Sequence, residues 1–519
     1  MVMTVPAALD TAAASFPDRE AVVDGDRRMT YAELRAGARR WARAFVAAGV
    51  EPGERVAIWA PNSVDWIVAS FGVYAAGAVL VPLNTRYRGE EAGHILRTSA
   101  STTLLTVTDF LGSSFVEQLD GVAGLDQLQR TVVISGNVPA GASAAADFLA
   151  TGDGVEESIV DERTAALTGD STSDIIFTSG TTGAPKGAML AHGASVRTYQ
   201  AWSELVDLRP GDRYLIVYPF FHTAGLKSAV LSCVVQGATM YPLPVFDVPT
   251  VLRVVEQERI TMLPGPPTVF QTILNHPGLE SFDLSSVRSS VTGAAVVPVE
   301  VVRQMREVLH IGTVVTGYGM TETHGTISMC RHDDPPEVIA TTVGKPLPGV
   351  EVRVVDDDWR DVPEGAAGEL IVRGFNVMQG YFADPEATAA AIRDGWLSTG
   401  DIGFVDADGN IHITDRKKDM FIVGGFNAYP AEIEATLLGH PDVAQVAVVG
   451  VPDARMGEVG VAFVVARSGS TADPAAILAW AHERLAKFKL HAVEVADELP
   501  VTPSGKVQKF VLRDRLAAG

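Results

Sequence analysis

The chain contains the stretch Thr178-Ser179-Gly180-Thr181-Thr182-Gly183-Ala184-Pro185-Lys186-Gly187, which follows the apolar residues Ile175-Ile176-Phe177. Its ten residues include four hydroxyls, three glycines and one lysine. The pattern predicts a strand that opens into a loop of accessible backbone amides, because glycine lets a backbone approach a ligand closely. Amides, hydroxyls and a cation together suit a phosphate chain. The stretch therefore predicts a site for a nucleotide polyphosphate.

This stretch is not a Walker A loop, which requires Gly-x-x-x-x-Gly-Lys followed by Ser or Thr. Here Lys186 follows a proline and precedes Gly187. Glycine-rich loops are also common on protein surfaces without any ligand. The rest of the chain has to decide between a nucleotide site and an ordinary surface loop.

The bulk composition is typical of a large globular enzyme. The chain has 519 residues, of which 47% are hydrophobic and 20% charged, and this length allows about two to four structural units. The formal net charge of −22 argues against a nucleic-acid partner, since phosphate backbones select basic surfaces. It also argues against docking on anionic lipid. The two cysteines, Cys233 and Cys330, cannot form a disulfide framework, so we expect a cytoplasmic location.

Neither a targeting segment nor a membrane span is expected. The first twenty residues lack a basic start followed by an apolar core. Residues 66–85 carry no charge over about the length of a membrane span. Gly72, Gly77 and Pro82 interrupt this stretch, so it predicts a buried helix that leads into a buried strand.

Apolar strand-like runs alternate with helical patterns through most of the chain. Runs at 55–59, 103–107 and 131–134 predict the layers of an α/β fold. Residues 136–146 are rich in Gly, Ala, Ser and Pro and predict an exposed loop. Alternating residues at 350–355 and 368–373 predict a small antiparallel unit.

Five consecutive charges, Asp415-Arg416-Lys417-Lys418-Asp419, mark a change in the chain. Such a run cannot be buried unpaired, so it is either a linker between domains or a solvated turn. The residues beyond it suffice for a small domain. Helices are predicted after Pro430 and after Asp473, and strands at 443–449 and 459–465.

Three further polar clusters follow apolar segments. Gly317 to Thr323 follows a strand-like run and contains Glu322 among glycines and hydroxyls, a composition that can hold Mg²⁺ on phosphates. Asp401 ends the cluster Ser398-Thr399-Gly400-Asp401 and suits the two hydroxyls of a ribose. Lys506 lies on a Gly/Pro-rich turn. Taken singly, each cluster is equally compatible with a turn, a helix cap or an exposed lysine.

Together these clusters resemble the adenylate-forming superfamily of acyl-CoA synthetases, adenylation domains and luciferases. The resemblance covers almost the whole chain, and it is specific because many motifs occur in the family's order. They are residues 29–34 (MTYAEL), 178–187, 218–222 (YPFFH), 317–323, 398–401, 415–419, 424–427 (GGFN) and 505–506.

The resemblance implies an α/β fold with two domains. Residues 1–415 would form a large N-terminal domain of layered αβ sheets plus a small β-barrel. Residues 416–419 would form a hinge at Lys418, and residues 420–519 a small, mobile α+β lid. The implied reaction has two steps: a carboxylate attacks the α-phosphate of ATP, with Mg²⁺ as cofactor, and the thiol of coenzyme A then displaces AMP. The two anions can meet only if cations and amide donors offset their repulsion.

The resemblance also assigns roles to single residues. Lys506 would bridge the substrate carboxylate and the α-phosphate, Asp401 would hold the ribose with help from Arg416, and Glu322 would coordinate Mg²⁺ together with Thr181 or Thr182. The catalytic residues implied are Thr182, His222, Glu322 and Lys506. The implied ATP-binding residues are Thr178, Ser179, Gly180, Thr181, Thr182, Gly183, Lys186, Gly293, Ala294, Ala295, Tyr318, Gly319, Met320, Thr321, Asp401, Arg416 and Lys506.

For coenzyme A, the resemblance implies a pantetheine tunnel at Gly424, Gly425 and Phe426. His222 matches a gate between this tunnel and the acyl pocket, although it can equally be a structural neighbour of Phe220 and Phe221. The acyl pocket should be mostly apolar with a few oriented polar groups. Its implied residues are Phe221, His222, Thr223, Leu226, Lys227, Val314, Thr316, Gly317 and His324. We hypothesise that Lys227 or His324 meets a carbonyl of the substrate.

A closer likeness narrows the choice of acid. Residues 260–271 (ITMLPGPPTVFQ), the 220–227 segment with Gly225 and Lys227, and residues 340–342 resemble an actinobacterial subgroup. That subgroup activates the propanoate side chain of a bicyclic hydroindanedione left by steroid-ring degradation. Thr223, Ala224 and Leu226 depart from its pattern, so a medium-chain fatty acid or an aryl acid remains an alternative.

Two rival functions use the same scaffold. A stand-alone adenylation enzyme would load a carrier protein instead of coenzyme A, but Phe221-His222-Thr223 lacks the Phe-Asp pair that holds an amino group. A non-catalytic paralogue would have lost Glu322, Asp401 or Lys506, and all three are present. Nothing in the sequence favours a light-emitting oxygenase. The expected partners are a small carboxylic acid, ATP and coenzyme A, and a homodimer is compatible with the family.

Overall fold

A computed structural model describes the chain over residues 3–178, 185–293, 299–416, 419–423, 426–453, 456–467, 469–485, 487–501 and 507–517. The predicted α/β class is confirmed, with a large N-terminal region of sheets and helices and a smaller C-terminal unit.

The large region contains strands β1 to β21. They are β1 Glu20–Asp24, β2 Arg27–Thr30, β3 Arg55–Trp59, β4 Val79–Pro82, β5 Thr103–Val107, β6 Arg130–Ser135, β7 Ser143–Ala144, β8 Thr172–Thr178, β9 Lys186–Ala191, β10 Arg213–Ile216, β11 Thr239–Pro242, β12 Ser289–Gly293, β13 Thr313–Tyr318, β14 Ser328–Met329, β15 Lys345–Pro346, β16 Val350–Val355, β17 Gly368–Gly374, β18 Gly380–Tyr381, β19 Ile392–Arg393, β20 Trp396–Val405 and β21 Ile411–Arg416.

The α-helices of the same region cover the sheets. They are α1 Val5–Ser15, α2 Tyr31–Ala47, α3 Val64–Ala75, α4 Gly89–Ser99, α5 Ala145–Thr151, α6 Glu157–Ala166, α7 His192–Leu205, α8 Thr223–Gly225, α9 Ser232–Gln236, α10 Val248–Glu258, α11 Pro267–Leu274, α12 Val299–Glu307, α13 Pro336–Thr341 and α14 Pro385–Ala391.

The first sheet has eight strands in the order β18-β9-β8-β4-β3-β5-β6-β7. Its inner strands β3, β4 and β5 are parallel and almost wholly buried, which explains their continuous apolar runs. β8 continues this sheet beside β4 and then turns back antiparallel as β9. The predicted strands at 55–59 and 103–107 are confirmed to the residue, and that at 131–134 lies within β6.

The second layer consists of two four-stranded sheets, β10-β11-β1-β2 and β12-β13-β14-β15. Met262 joins them, because it bridges Tyr214 on one side and Ser289 on the other. Within the latter sheet β12 and β13 are parallel, with Gly293 paired to Gly317. The carboxyl ends of these two strands, at Gly293 and Tyr318, therefore lie at the same edge of the sheet.

The third sheet is antiparallel and has five strands, with β17 and β20 at its centre. The family resemblance implies a small β-barrel within residues 1–415. Over the part of the chain that the structure describes, β16 pairs only with β17, and β19 and β21 pair only with β20. The strands thus form an open sheet, and the predicted strands at 350–355 and 368–373 both belong to it.

The C-terminal unit has its own five-stranded sheet and separate apolar clusters. Pro430 is the first residue of one helix, and Asp473 caps another by accepting a bond from Ala475 N at 3.0 Å, so both predicted starts are confirmed. Its elements are β22 Phe421–Val423, β23 Phe426–Ala428, β24 Val443–Asp453, β25 Gly457–Ala466, β26 Ala492–Val495, α15 Pro430–Leu437, α16 Pro474–His482 and α17 Lys509–Ala517.

The charged run 415–419 begins at the end of β21 and precedes the C-terminal unit in the sequence. Asp415 and Arg416 form the end of β21 and pair with Ile402 and Asp401, whereas Lys417 and Lys418 lie outside the described residues. The domain limits at 415 and 419 remain predictions.

The uncharged stretch 66–85 forms most of α3 and all of β4, both buried, as predicted. In the described ranges, no helix is long and apolar enough to cross a membrane. Residues 136–146 are mostly exposed, in agreement with the predicted loop, but β7 and the start of α5 lie at its end.

His192 joins the first helix of the chain to the buried interior. It is fully buried at the start of α7, and its Nδ1 accepts a hydrogen bond from Val5 N at 3.3 Å. Its ring packs edge-on against Tyr74, with a centroid separation of 5.8 Å. Burial is the main cause that lowers the pKa of His192 to about 4, against an opposing contribution from Asp174. The imidazole is therefore neutral in the folded protein near pH 7.

The free energy of unfolding should fall as the pH drops from about 6.5 to about 4. In this range the unfolded chain protonates His192 while the folded chain does not, so the unfolded state binds more protons. The contribution is on the order of 3 kcal/mol, lost progressively below pH 6.5. Urea titrations of the wild type and of His192→Asn, which keeps an acceptor near Nδ1, measure it. An equally steep pH dependence in both proteins would contradict this assignment.

Candidate active site

The hairpin β8–β9 fixes both ends of the loop 178–187. Thr178 and Lys186 are cross-strand partners, and Thr178 Oγ1 donates to Lys186 O at 3.4 Å. Gly187 has no room for a side chain, since a Cβ there would lie 2.6 Å from Ile175 Cγ2. Residues 179–184 lie outside the described residues. The structure thus places the two ends of the predicted phosphate loop side by side, at the ends of two neighbouring strands of the first sheet.

Tyr381 connects the end of this loop to Glu322. The Lys186 Nζ lies 5.2 Å from the centroid of the Tyr381 ring. The Tyr381 hydroxyl donates to Glu322 Oε1 at 2.9 Å. Burial and the negative charge of Glu322 raise the pKa of Tyr381 well above its usual range, so the phenol remains a donor. The predicted phosphate lysine and the predicted metal carboxylate therefore share one neighbour.

The segment 317–323 makes a tight turn that aims Glu322. Its last three residues form a short 3-10 turn, Thr321–Thr323, and the turn closes through Gly319, where a Cβ would lie 2.3 Å from Gly325 O. Glu322 is 6% exposed, and its backbone oxygen accepts from Met378 N at 2.7 Å. The carboxylate is thus held in a nearly buried position by backbone contacts and by Tyr381.

The other end of this segment reaches Asp401. Tyr318 is the last residue of β13, and its hydroxyl donates to Asp401 Oδ2 at 2.6 Å. Asp401 is 2% exposed and stands opposite Arg416 across β20 and β21. Beside Tyr318, Gly293 pairs with Gly317, and a Cβ on Gly293 would lie 3.0 Å from Gly317 O. The predicted adenosine residues with described positions therefore come together.

Glu369 supports the strand that carries Asp401. Its Oε1 accepts from Ser398 Oγ and from Gly400 N, the latter at 3.3 Å. Thr399 Oγ1 donates to Leu370 O at 2.7 Å and accepts from Asp401 N at 3.1 Å. The hydrogen bonds of Ser398, Thr399 and Gly400 thus fix the backbone of the 398–401 cluster. This backbone sets the position of the Asp401 carboxylate.

His222 caps the short helix α8, and its Nδ1 accepts from Ala224 N at 3.1 Å. Asn62 holds the preceding segment, because its amide donates to Tyr218 O at 2.9 Å and accepts from Phe220 N at 2.8 Å. The role of His222 as a gate remains a prediction.

Several predicted residues have no described position. The remainder of the phosphate loop, the adenine residues after Gly293, the hinge, part of the coenzyme A tunnel and the C-terminal lysine lie outside the described residues, and for Arg416 and Phe426 only the backbone is described. Their roles remain predictions. The residues without a described position are Ser179, Gly180, Thr181, Thr182, Gly183, Ala294, Ala295, Lys418, Gly424, Gly425 and Lys506.

The predicted acyl-pocket residues do not share one environment. Phe221 and His222 are half-buried, whereas Thr223, Leu226 and Val314 are buried. Thr316 is buried, and its Oγ1 lies within hydrogen-bond distance of two backbone carbonyls, 2.9 Å from Ile339 O and 3.1 Å from Thr342 O. At Gly317 a side chain would meet Met329 at 2.9 Å.

The hypothesis that Lys227 meets a substrate carbonyl is not supported by its position. The ammonium of Lys227 forms a salt bridge with Asp174 Oδ2, and the two side chains are 1% and 0% exposed. Ser173 Oγ donates to the same oxygen, and Tyr74 Oη donates to Asp174 Oδ1 at 2.5 Å. A π-helical turn, Leu226–Leu231, carries Lys227 into this position. Lys227 thus belongs to the interior and not to the surface of a pocket.

The same correction applies to His324. It is fully buried, its Nε2 accepts from Ala191 N at 3.1 Å and its Nδ1 lies 2.7 Å from Asn376 O. Burial lowers the pKa of His324 to about 4, so the ring is neutral and Nδ1 donates to Asn376 O. Both ring nitrogens are therefore occupied by backbone partners. His324 joins β9 to the segment after β17.

Sequence reasoning missed Tyr381, Asn62 and Glu369. Each acts through a partner far away in the chain, since Tyr381 bonds to Glu322, Asn62 to Tyr218 and Glu369 to Ser398. No local pattern marks such a residue as part of a site. For Tyr381 the neighbouring Gly380, with a φ of +140°, is the nearest local signal.

Two family models match this chain. Residues 9–382 match the model described as AMP-binding enzyme, and residues 432–506 match that of the AMP-binding enzyme C-terminal domain. Two relatives, from Rhodococcus jostii and Mycobacterium tuberculosis, are each 47% identical to it and cover 98% of the chain and 98% of their own length. Both are named as ligases that join CoA to a 7a-methyl-1,5-dioxo-octahydro-1H-inden-4-yl propanoyl group.

A solved structure agrees with these matches. The ATP-bound MatB from Rhodopseudomonas palustris is 33% identical, with a TM-score of 0.87 over 99% of both chains. The similarity therefore extends through both the large region and the C-terminal unit.

Lys227→Met should destabilise the protein by about 3–5 kcal/mol, because it leaves the Asp174 carboxylate buried without its cation. The double variant Lys227→Met/Asp174→Asn keeps an acceptor for Tyr74 and removes both charges, so it should recover much of the loss. Urea unfolding midpoints measure both effects. If Lys227→Met instead keeps its stability and changes the preference among acids, the substrate-facing hypothesis is restored.

Proposed function

The chain belongs to the AMP-binding enzyme family, and from this premise we propose that it is an AMP-forming acyl-CoA ligase. It joins a carboxylic acid to coenzyme A with cleavage of ATP to AMP and diphosphate, through an acyl adenylate. The observation that carries the proposal is a pair of contacts made by the turn 317–323. At its start, Tyr318 bonds to Asp401. At its end, Glu322 bonds to Tyr381, whose ring lies next to Lys186. These contacts support the proposal of a ribose acceptor and a phosphate cation at the two ends of a single segment.

The residues suit the charges of the proposed reaction. Asp401 is a nearly buried carboxylate that accepts from Tyr318, and a carboxylate is the group that suits the two hydroxyls of a ribose. Lys186 is an exposed cation at the end of the phosphate loop, without a carboxylate partner in the residues described. Preorganised donors and cations of this kind lower the cost of bringing two anions into contact. Lys506 supplies the second cation in the proposed mechanism, by donating to the carboxylate and the α-phosphate.

The donor set near the loop fits Mg²⁺. Glu322 Oε1 accepts from Tyr381, and Oε2 has no hydrogen-bond partner in the described part of the chain. A single carboxylate oxygen is what Mg²⁺ takes from a protein when phosphate oxygens and water complete most of its shell. We therefore assign the metal position to Glu322 with Thr181 or Thr182. When bound, the ion neutralises charge on the phosphates.

We propose that the acid is the propanoate side chain of a bicyclic hydroindanedione, the steroid-ring fragment. The names of the two relatives at 47% identity support this choice. Medium-chain fatty acids and aryl acids are the alternatives. The activity belongs in the cytoplasm in this proposal, where ATP and coenzyme A are available and where the two buried thiols, Cys233 and Cys330, remain free.

Diphosphate release should depend on the hydroindanedione propanoate, and a thioester should form only after coenzyme A is added. The assay compares this acid with octanoate and ferulate at equal concentrations, by diphosphate detection and mass spectrometry of the thioester. The bicyclic acid should give the highest kcat/KM. Preference for either other acid would replace the substrate proposal, and transfer only to a carrier protein would replace coenzyme A as the acceptor.

Lys506→Ala should slow adenylate formation by about 10²–10³-fold, the usual cost of a lost charge-stabilising donor. Thioester formation from supplied acyl adenylate and coenzyme A should be largely spared, because the carboxylate and α-phosphate are already joined. Rapid-quench measurement of each half-reaction separates the two. An equal loss in both would refute this division of roles.

A further inference from the structure

Tyr381 contacts two residues of the proposed ATP site without belonging to any of the motifs that define it. Its hydroxyl donates to Glu322 Oε1 at 2.9 Å, and its ring faces Lys186 Nζ at 5.2 Å from the centroid. Glu322 and Lys186 lie on separate segments of the chain. One side chain therefore sets the positions of both groups.

The backbone of Tyr381 is held independently of Glu322. β18 pairs with β9, with Tyr381 opposite Ala188. Phe382 N donates to Gly187 O at 2.7 Å, and Tyr381 N donates to Thr388 Oγ1 at 2.8 Å. The short strand is thus attached directly to the strand that begins with Lys186. The main chain of Tyr381 is therefore attached to β9 and not to the segment that carries Glu322, so a movement of Glu322 does not by itself displace it.

The hydroxyl restricts the orientation of the Glu322 carboxylate. A carboxylate that accepts a hydrogen bond through Oε1 presents Oε2 in one direction, and here Oε2 has no partner among the residues described. Hydrogen bonds to the ligands of a metal commonly raise its affinity by fixing the ligand orientation. The bond from Tyr381 has the geometry for this effect.

The aromatic ring restricts Lys186. A lysine ammonium over the face of a tyrosine ring is attracted by the electrons of the ring. No carboxylate within the described ranges forms a salt bridge with Lys186 Nζ. Its electrostatic contact there is with the Tyr381 ring. The lysine is kept at the end of the phosphate loop without being neutralised.

We propose that Tyr381 is a positioning residue of the ATP site, whose hydroxyl orients Glu322 toward the metal of a metal–nucleotide complex and whose ring keeps Lys186 directed at its phosphates. The proposal rests on the proposed function. It assigns different ligands to the two parts of one side chain: the hydroxyl acts on the divalent cation, and the ring acts on the nucleotide.

The test separates these two parts by substitution. Tyr381→Phe removes only the hydroxyl, and Tyr381→Leu removes the ring as well. Binding of ATP is measured calorimetrically without acid substrate, with and without metal, and Mn²⁺ binding is followed by the loss of the free-ion electron paramagnetic resonance signal. Neither readout depends on turnover. Thermal unfolding of each variant monitors the fold.

Tyr381→Phe should weaken Mn²⁺ binding in the presence of ATP by about 10–100-fold, the usual cost of removing a partner of a metal ligand. Its metal-free ATP affinity should equal that of the wild type, and raising Mn²⁺ to saturation should restore ATP binding. Tyr381→Leu should in addition weaken metal-free ATP binding, because Lys186 loses the ring.

Tyr241 offers a matched control. It also stands between a cation and a carboxylate, with Arg213 at 5.0 Å from its ring centroid and Glu258 Oε2 at 3.3 Å from its hydroxyl. It lies on β11 in the second layer, whereas Tyr381 lies on β18 in the first sheet. Tyr241→Phe should leave Mn²⁺ and ATP binding unchanged.

Two results would overturn the proposal while the proposed function stands. One is a Tyr381→Phe variant with the Mn²⁺ affinity of the wild type. The other is a Tyr381→Phe variant that loses ATP affinity equally with and without metal, which would mark a merely structural role of the hydroxyl. Failure of the wild type to bind ATP at all would instead defeat the proposed function itself.

Discussion

The site depends on one constraint: a carboxylate and a polyphosphate repel each other, so the protein must hold its charges in fixed places before either arrives. The turn 317–323 meets this demand by its shape. Tyr318 and Glu322 are four positions apart and bond to Asp401 and Tyr381, which lie in different parts of the chain. Since the turn is closed by backbone contacts at Gly319, the distance between the two ends is set by the backbone and not by side-chain flexibility.

The interior of the large region carries polar groups that do not take part in this chemistry. Asp174 and Lys227 form a buried pair, and His192 and His324 are buried and neutral. These residues tie β8, β9, α7 and the π-helical turn after His222 to one another. A buried ion pair contributes little net stability compared with apolar packing but tolerates few alternative arrangements. The strand that leads into the phosphate loop is thus held in one register by directional contacts.

The sequence was sufficient for the fold class and for most elements with a clear period or a proline start, such as β3, β5, α15 and α16. It also predicted roles for Lys186, Tyr318, Glu322 and Asp401, because glycines and hydroxyls around them form recognisable local patterns. Their contacts in the structure agree with a shared site, and their roles stay predictions. Sequence reasoning failed for residues whose role depends on a contact with a distant part of the chain, because local composition does not show such a contact. Lys227 and His324 look like polar residues beside a pocket, but their partners Asp174 and Asn376 are 53 and 52 positions away. Tyr381 was missed for the same reason, since Glu322 lies 59 positions before it.

The two-residue strand β18 has a consequence for how this chain can be divided. In the sequence, β18 follows β16 and β17 of the third sheet. In the fold, it forms the edge strand of the first sheet and pairs with β9, the strand that starts at Lys186. A fragment or chimera that ends between the second and third sheets would leave that edge unpaired, and exposed edges recruit other strands. The large region is therefore not a series of exchangeable modules. Recombination with a relative has to inherit residues 380–381 and 186–191 from the same parent.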